Sequence, residues 1–328
     1  MQRPRAINFI HYERPEGYVV RRIFTLVETY SSVLAGSGFG LKIDFAKNTE
    51  DPARVFRALS GLIDFCQYFD KSLVRALNLD IKPILLLEDI DQGSITGWLK
   101  NSFRTSKNEI ITDRAIWQAL SRYLNTAKRI FIDFFRDRDT VESLEEITGL
   151  QRKLLHLAEA SPLSTRTICG PVSQRELLEG VDKFQLPLRE LMVADKAYYL
   201  LNEESSSINL DLNISASQIE KILLGEVLEN EQEMILKIKK PDYLGDSKWV
   251  FRHGKRTIEA KMNDLEWMQS FRRREIPVVP GDAFRAVIRS VTKYDFNGEL
   301  LSEQISVQRV IEVIPDIYEQ LSLFPEKD

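Results

Sequence analysis

Cysteine is nearly absent from this 328-residue chain: Cys66 and Cys169 are the only two, far apart and in unrelated settings. That excludes a disulfide framework and a cysteine-based metal cluster, and it points to a reducing, cytoplasmic setting. Histidine is as scarce. His11, His156 and His253 fall in different segments without a second ligand at metal spacing, which leaves a zinc site or a histidine-based nucleophile triad without material. Long apolar runs are missing too. Nowhere do 18 uncharged apolar residues follow one another, and the run Ile7-Asn8-Phe9-Ile10 is too short for a secretory leader, so neither a membrane span nor export is expected. Nor is there a large charge of one sign. A formal net charge of −4 gives no long-range field that would select a polyanion or a bilayer, so any such binding has to be local.

What is present is the composition of a packed protein, 43% hydrophobic and 29% charged, at a length that suits two or three domains. Val19, Ile23, Val27, Tyr30 and Leu34 recur at helical spacing and predict a helix ending at Gly36. Gly36 to Gly40 then reads as a helix-to-strand turn, in the wrong order for a phosphate loop. Leu41 to Phe45 alternates as a strand. Asp51-Pro52 opens a helix whose apolar stripe runs through Val55, Leu59, Leu62, Cys66, Phe69 and Leu73, with Arg54, Arg57, Asp64, Lys71 and Arg75 expected mainly off it in water.

The run Pro83-Ile-Leu-Leu-Leu87 predicts a buried central strand, ending in an acidic turn of Glu88, Asp89 and Asp91. Two helices follow, marked by Ile116 to Phe134 and by Leu144 to Ala158. Ser173 with Glu176 makes a capping box for another. From about residue 213 strand signals take over: Met234 to Ile238, Lys248 to Phe251, Thr257 to Met262, Ala283 to Tyr294 and Glu299 to Ile314. A short helix is capped by Asn263 and Glu266, and Asn297-Gly298 is a strong hairpin signal. The expected fold class is α+β, with a helix-rich α/β domain over 1–160, a connecting α/β region over 161–212 and a small C-terminal β-barrel-like domain over 213–328.

Two constellations carry chemistry. Pro241-Asp242 followed by Glu259-Ala260-Lys261 resembles the Pro-Asp…Glu-x-Lys signature of a large family of metal-dependent nucleases. That resemblance implies Asp242 and Glu259 holding Mg²⁺ or Mn²⁺, with Lys261 activating water; outside it no cofactor is expected. The competing reading places Glu259 and Lys261 on the wet face of a strand. The second constellation is the local excess of base in the C-terminal part. Lys237, Lys239, Lys240, Lys248, Arg252, Lys255, Arg256, Lys261 and the run Arg272, Arg273 and Arg274 lie among Tyr243, Trp249 and Phe251, the residue types of an oligonucleotide-binding surface.

The succession Lys248-Trp-Val-Phe251, Gly254, Ile258, Ala260, Asn263-Asp264, Gly281-Asp282 and Asn297-Gly298 resembles a small C-terminal β-barrel of bacterial and phage-associated proteins, over residues 230 to 314. It implies an anti-phage setting and no catalytic residues. The sequence is read as a non-enzymatic recognition or assembly protein with a protein partner. A metal-dependent nuclease and a nucleic-acid or nucleotide sensor are the alternatives.

Overall fold

In the computed structural model, residues 38–47, 50–91, 95–243, 247–279 and 281–316 are described; the expected helix before Gly36, and His11, lie outside them. The protein is mixed α+β, and its chain divides into two compact units at residues 216 and 217.

The first unit contains the strands β1 (Gly38–Asp44), β2 (Ile81–Asp91), β3 (Ile95–Thr105), β4 (Lys196–Leu201) and β5 (Glu204–Ile208). They form one antiparallel sheet in the order β2-β3-β1-β4-β5. Helices α1 (Arg54–Ala76), α2 (Arg114–Phe135), α3 (Leu144–Glu159) and α4 (Gln174–Leu188) supply the rest of the core. Local chemistry starts them. Asp113 caps α2 by accepting from the Ala115 and Ile116 amides, and Ser173 with Glu176 forms the expected capping box on α4. Phe65 and Phe69 of α1, Phe131 and Phe135 of α2 and Phe184 of α4 then meet in one aromatic cluster, with ring centroids 4.9 to 5.6 Å apart.

Several expectations change here. Among the described residues β2 pairs with β3 alone, so Pro83 to Leu87 belongs to an edge strand there, and Leu86 and Leu87 are 47% and 55% exposed. Proline fits that place because its missing N–H breaks no central ladder. Glu88, Asp89 and Asp91 are part of β2, where Glu88 meets Lys100 Nζ at 2.7 Å and Asp91 accepts from Trp98 Nε1 at 2.8 Å. Gly38 to Gly40 is strand. The stretch 161–212, expected as a connecting region, supplies α4 and, by long-range pairing, β4 beside β1, so it belongs to the first unit.

Arg54, expected in water, is buried. Its guanidinium forms an ion pair with the buried Asp195, which also accepts the Ala46 and Met192 amides at 2.8 and 2.7 Å. Burial works against the Asp195 charge, but these hydrogen bonds outweigh it and hold its pKa below the ordinary value. A second buried pair joins α1 to α2: Lys128 Nζ lies 2.5 Å from Asp70 Oδ1 and 4.7 Å from the Phe39 ring centre. Burial raises the Asp70 pKa, offset in part by the Lys128 charge, and the same burial pushes the nearby Cys66 thiol up to about 12.

The second unit holds α5 (Ala216–Leu223), then β6 (Leu224–Lys240), β7 (Trp249–His253), β8 (Arg256–Met262), α6 (Leu265–Arg272), β9 (Ala283–Asp295) and β10 (Leu300–Ile314). The order of pairing, β10-β8-β7-β6-β9, returns to its start because β9 also pairs with β10. Parallel pairing of β8 with β10 makes the closing contact. Alternation drives the burial: Leu236, Ile238, Trp249, Phe251, Ile258, Ala260 and Phe284 point inward into an apolar core.

The turns are specific. Gly254 between β7 and β8, and Gly298 between β9 and β10, have φ of 57° and 78°, the left-handed region that favours glycine. Asp264, one residue beyond the expected Asn263, caps α6 through the Trp267 amide and also accepts from Val310 N at 2.9 Å. This ties the helix to β10.

Candidate nucleic-acid interface

Inward apolar residues on β6, β7 and β8 force the residues between them outward. On β6 these are Lys237 and Lys239, on β7 Val250 and Arg252, on β8 Thr257, Glu259 and Lys261. The register sets them in rows across the strands. Lys237 faces Arg252 and Arg252 faces Thr257, while two residues further along Lys240 faces Val250 and Val250 faces Glu259. Between residues 237 and 261 eight lysines and arginines stand against three acidic residues, so this face is basic in a chain that is acidic overall.

Two shallow depressions lie along the rows. One, of about 350 Å³, is bordered by Lys237, Lys239, Arg252 and Lys255. The next, of about 560 Å³, is bordered by Lys240, Asp242, Ser247, Lys248 and Glu259. Lys239, Lys240, Lys248, Lys255 and Lys261 are all exposed and have no ion-pair partner among the described residues. Lys237 differs, since it meets Asp316 at 2.7 Å, and Arg252 donates through Nε to the Gly254 carbonyl at 2.9 Å.

The residues singled out in sequence are only partly brought together. Asp242 and Glu259 border the same depression, whereas Lys261 borders the neighbouring one under α6. Asp242 accepts from the backbone N–H of Ser247 at 2.9 Å and from its hydroxyl. Among the described residues no three carboxylate, histidine or cysteine side chains are grouped to hold a metal ion. Lys248 and Arg252 lie on the basic face. Arg256 is paired with Glu303 at 2.6 Å, and the Arg272-Arg273-Arg274 run closes α6, with Arg273 Nη1 3.9 Å from Glu275.

Trp249 and Phe251 are corrected outright: both are 0% exposed and form the core, so neither can stack on a base. Tyr243 is half exposed and lies on Phe271 with centroids 5.3 Å apart. Lys239, Lys240 and Lys255 belong to the basic sequence named above, and the alternation Leu236-Lys237-Ile238-Lys239 carries the signal that places Lys237 and Lys239 on one face. Comparison with known proteins adds no relative: no family model, curated protein or solved structure matches this chain.

Proposed function

We propose that this protein recognises nucleic acid through the outer face of β6, β7 and β8. The observation that supports the reading is the set of five exposed lysines, Lys239, Lys240, Lys248, Lys255 and Lys261, without acidic partners among the described residues. Elsewhere on the same unit several surface charges are paired: Glu229 with Arg289 at 2.6 Å, Glu220 with Lys293 at 2.9 Å and Arg256 with Glu303. We read the ring of five strands as a small β-barrel. Its interior is filled by side chains, so recognition falls to the outside.

The experiment is fluorescence polarisation of a labelled oligonucleotide at several salt concentrations. Binding is expected to weaken with salt at a logarithmic slope of about −0.7 to −0.9 per phosphate contacted. The fourfold variant Lys239→Gln, Lys240→Gln, Lys248→Gln, Lys255→Gln is expected to lose most of the affinity and flatten the slope. No binding at low salt, or equal binding by this variant, would overturn the reading.

A second reading, docking of a protein partner on the first unit, is supported by Leu86, Leu87 and Ile90, which are 47%, 55% and 52% exposed along edge strand β2. Pro83 and the acidic residues beyond Leu87 blunt that edge against strand addition, and this sets the reading second.

A further inference from the structure

A third depression, of about 390 Å³, lies between α6 and the end of β8. Its lining differs in kind from the two basic ones. Leu265, Met268, Gln269 and Arg272 occur at spacings of three and four, so α6 turns a single stripe toward it. Leu265, with the edge of Met268, gives it an apolar wall above the wholly buried Trp249, Gln269 gives an amide, and Lys261 and Arg272 two cations. Leu265 is 72% exposed, an unusual degree for a leucine that borders a pocket.

The depression also continues the basic face. Lys261 follows Glu259 by two residues and Thr257 by four on β8, so the three rows span about 13 Å along the strand. A polyanion laid along these rows brings its next residue to the pocket. The pocket's chemistry then separates nucleic-acid classes. A duplex keeps its bases stacked inside and offers this surface only phosphate, for which an apolar wall and an amide are poor partners. A single strand offers unstacked bases, each an apolar plate with a hydrogen-bonding edge. The volume lies within the range of small-ligand pockets, about 300–1,000 Å³.

Resting on the nucleic-acid reading above, we infer that the ligand is single-stranded, and that one unstacked base enters the pocket between α6 and β8. Its neighbouring phosphates lie on Lys261 and the lysine rows.

The test measures binding of the full chain to three labelled probes of equal length at low salt: a mixed-sequence single strand, an abasic strand and a duplex. The base-bearing strand is expected to bind at least about 5-fold tighter than the abasic one. Leu265→Ser and Gln269→Ala, both at exposed positions, are expected to erase that preference while changing abasic affinity less than about 2-fold and leaving the thermal midpoint in place. Equal binding of base-bearing and abasic strands, or tighter binding of the duplex, would overturn the pocket and leave the basic face standing. Failure of every probe to bind would remove both.

Discussion

The two units differ in where their ion pairs and cations lie. The first unit buries it: Asp70 and Lys128 lie inside the helix layer, and Arg54 and Asp195 join α1 to the approach to β4. The second unit's main core is apolar, its buried Asp282 and Asp295 accept backbone amides at turns and strand ends, and five lysines without an ion-pair partner among the described residues are displayed outside. A buried ion pair is a weak contributor to net stability, because desolvation offsets most of the attraction, but it penalises every arrangement that separates the partners. Cations on an outer face penalise nothing in the fold and stay free for a ligand. The comparison separates charge that specifies structure from charge available for recognition.

The sharpest break in this contrast is to remove one partner inside the first unit. Lys128→Met leaves Asp70 without its cation and is expected to destabilise that unit by about 3–5 kcal/mol in a denaturant titration. Adding Asp70→Leu is expected to restore most of the loss, and equal destabilisation by single and double variants would show that the two charges are not coupled.

Asp195 gives a pH test. Its folded pKa lies below its unfolded value, so its contribution is present in full above about pH 4 and falls away as pH drops toward the folded pKa. Asp195→Asn is expected to lose about 1–3 kcal/mol at neutral pH and to flatten the acid side of the stability curve. An acid limb that keeps its wild-type slope would argue against it.

In the second unit the fourfold lysine-to-glutamine change should leave stability within about 0.5 kcal/mol while binding collapses, the reverse of the pattern for Lys128. Smallest of all is Gly298→Ala at the β9–β10 turn, where the positive φ predicts a loss of about 1 kcal/mol in thermal unfolding and unchanged oligonucleotide affinity.

The strands of the second unit were legible because Thr257 to Met262 and Met234 to Ile238 alternate with period two, and His253-Gly254 and Asn297-Gly298 mark their turns. The same alternation implied which lysines face outward. Trp249 and Phe251 were misread as surface stackers, although their own alternation with Val250 places them on the face opposite to it. In the first unit the helices were legible from apolar spacing. Arg54 was not, because a charged residue at a helix start reads as exposed until Asp195, 141 residues away, is brought against it.

Sequence alone determined the helices of the first unit and most strands and turns of the second, since helix period, strand period, caps and turn glycines act over a few residues; β3, β4, β5 and the exposure of β2 were not legible in it. Only tertiary structure decided that β2 lies at the edge of the described sheet, that residues 196–208 join that sheet, and that Asp242, Glu259 and Lys261 fall in two depressions. Those outcomes depend on which strands pair and on which side chains then meet, contacts between residues too far apart in the chain for any local pattern to carry.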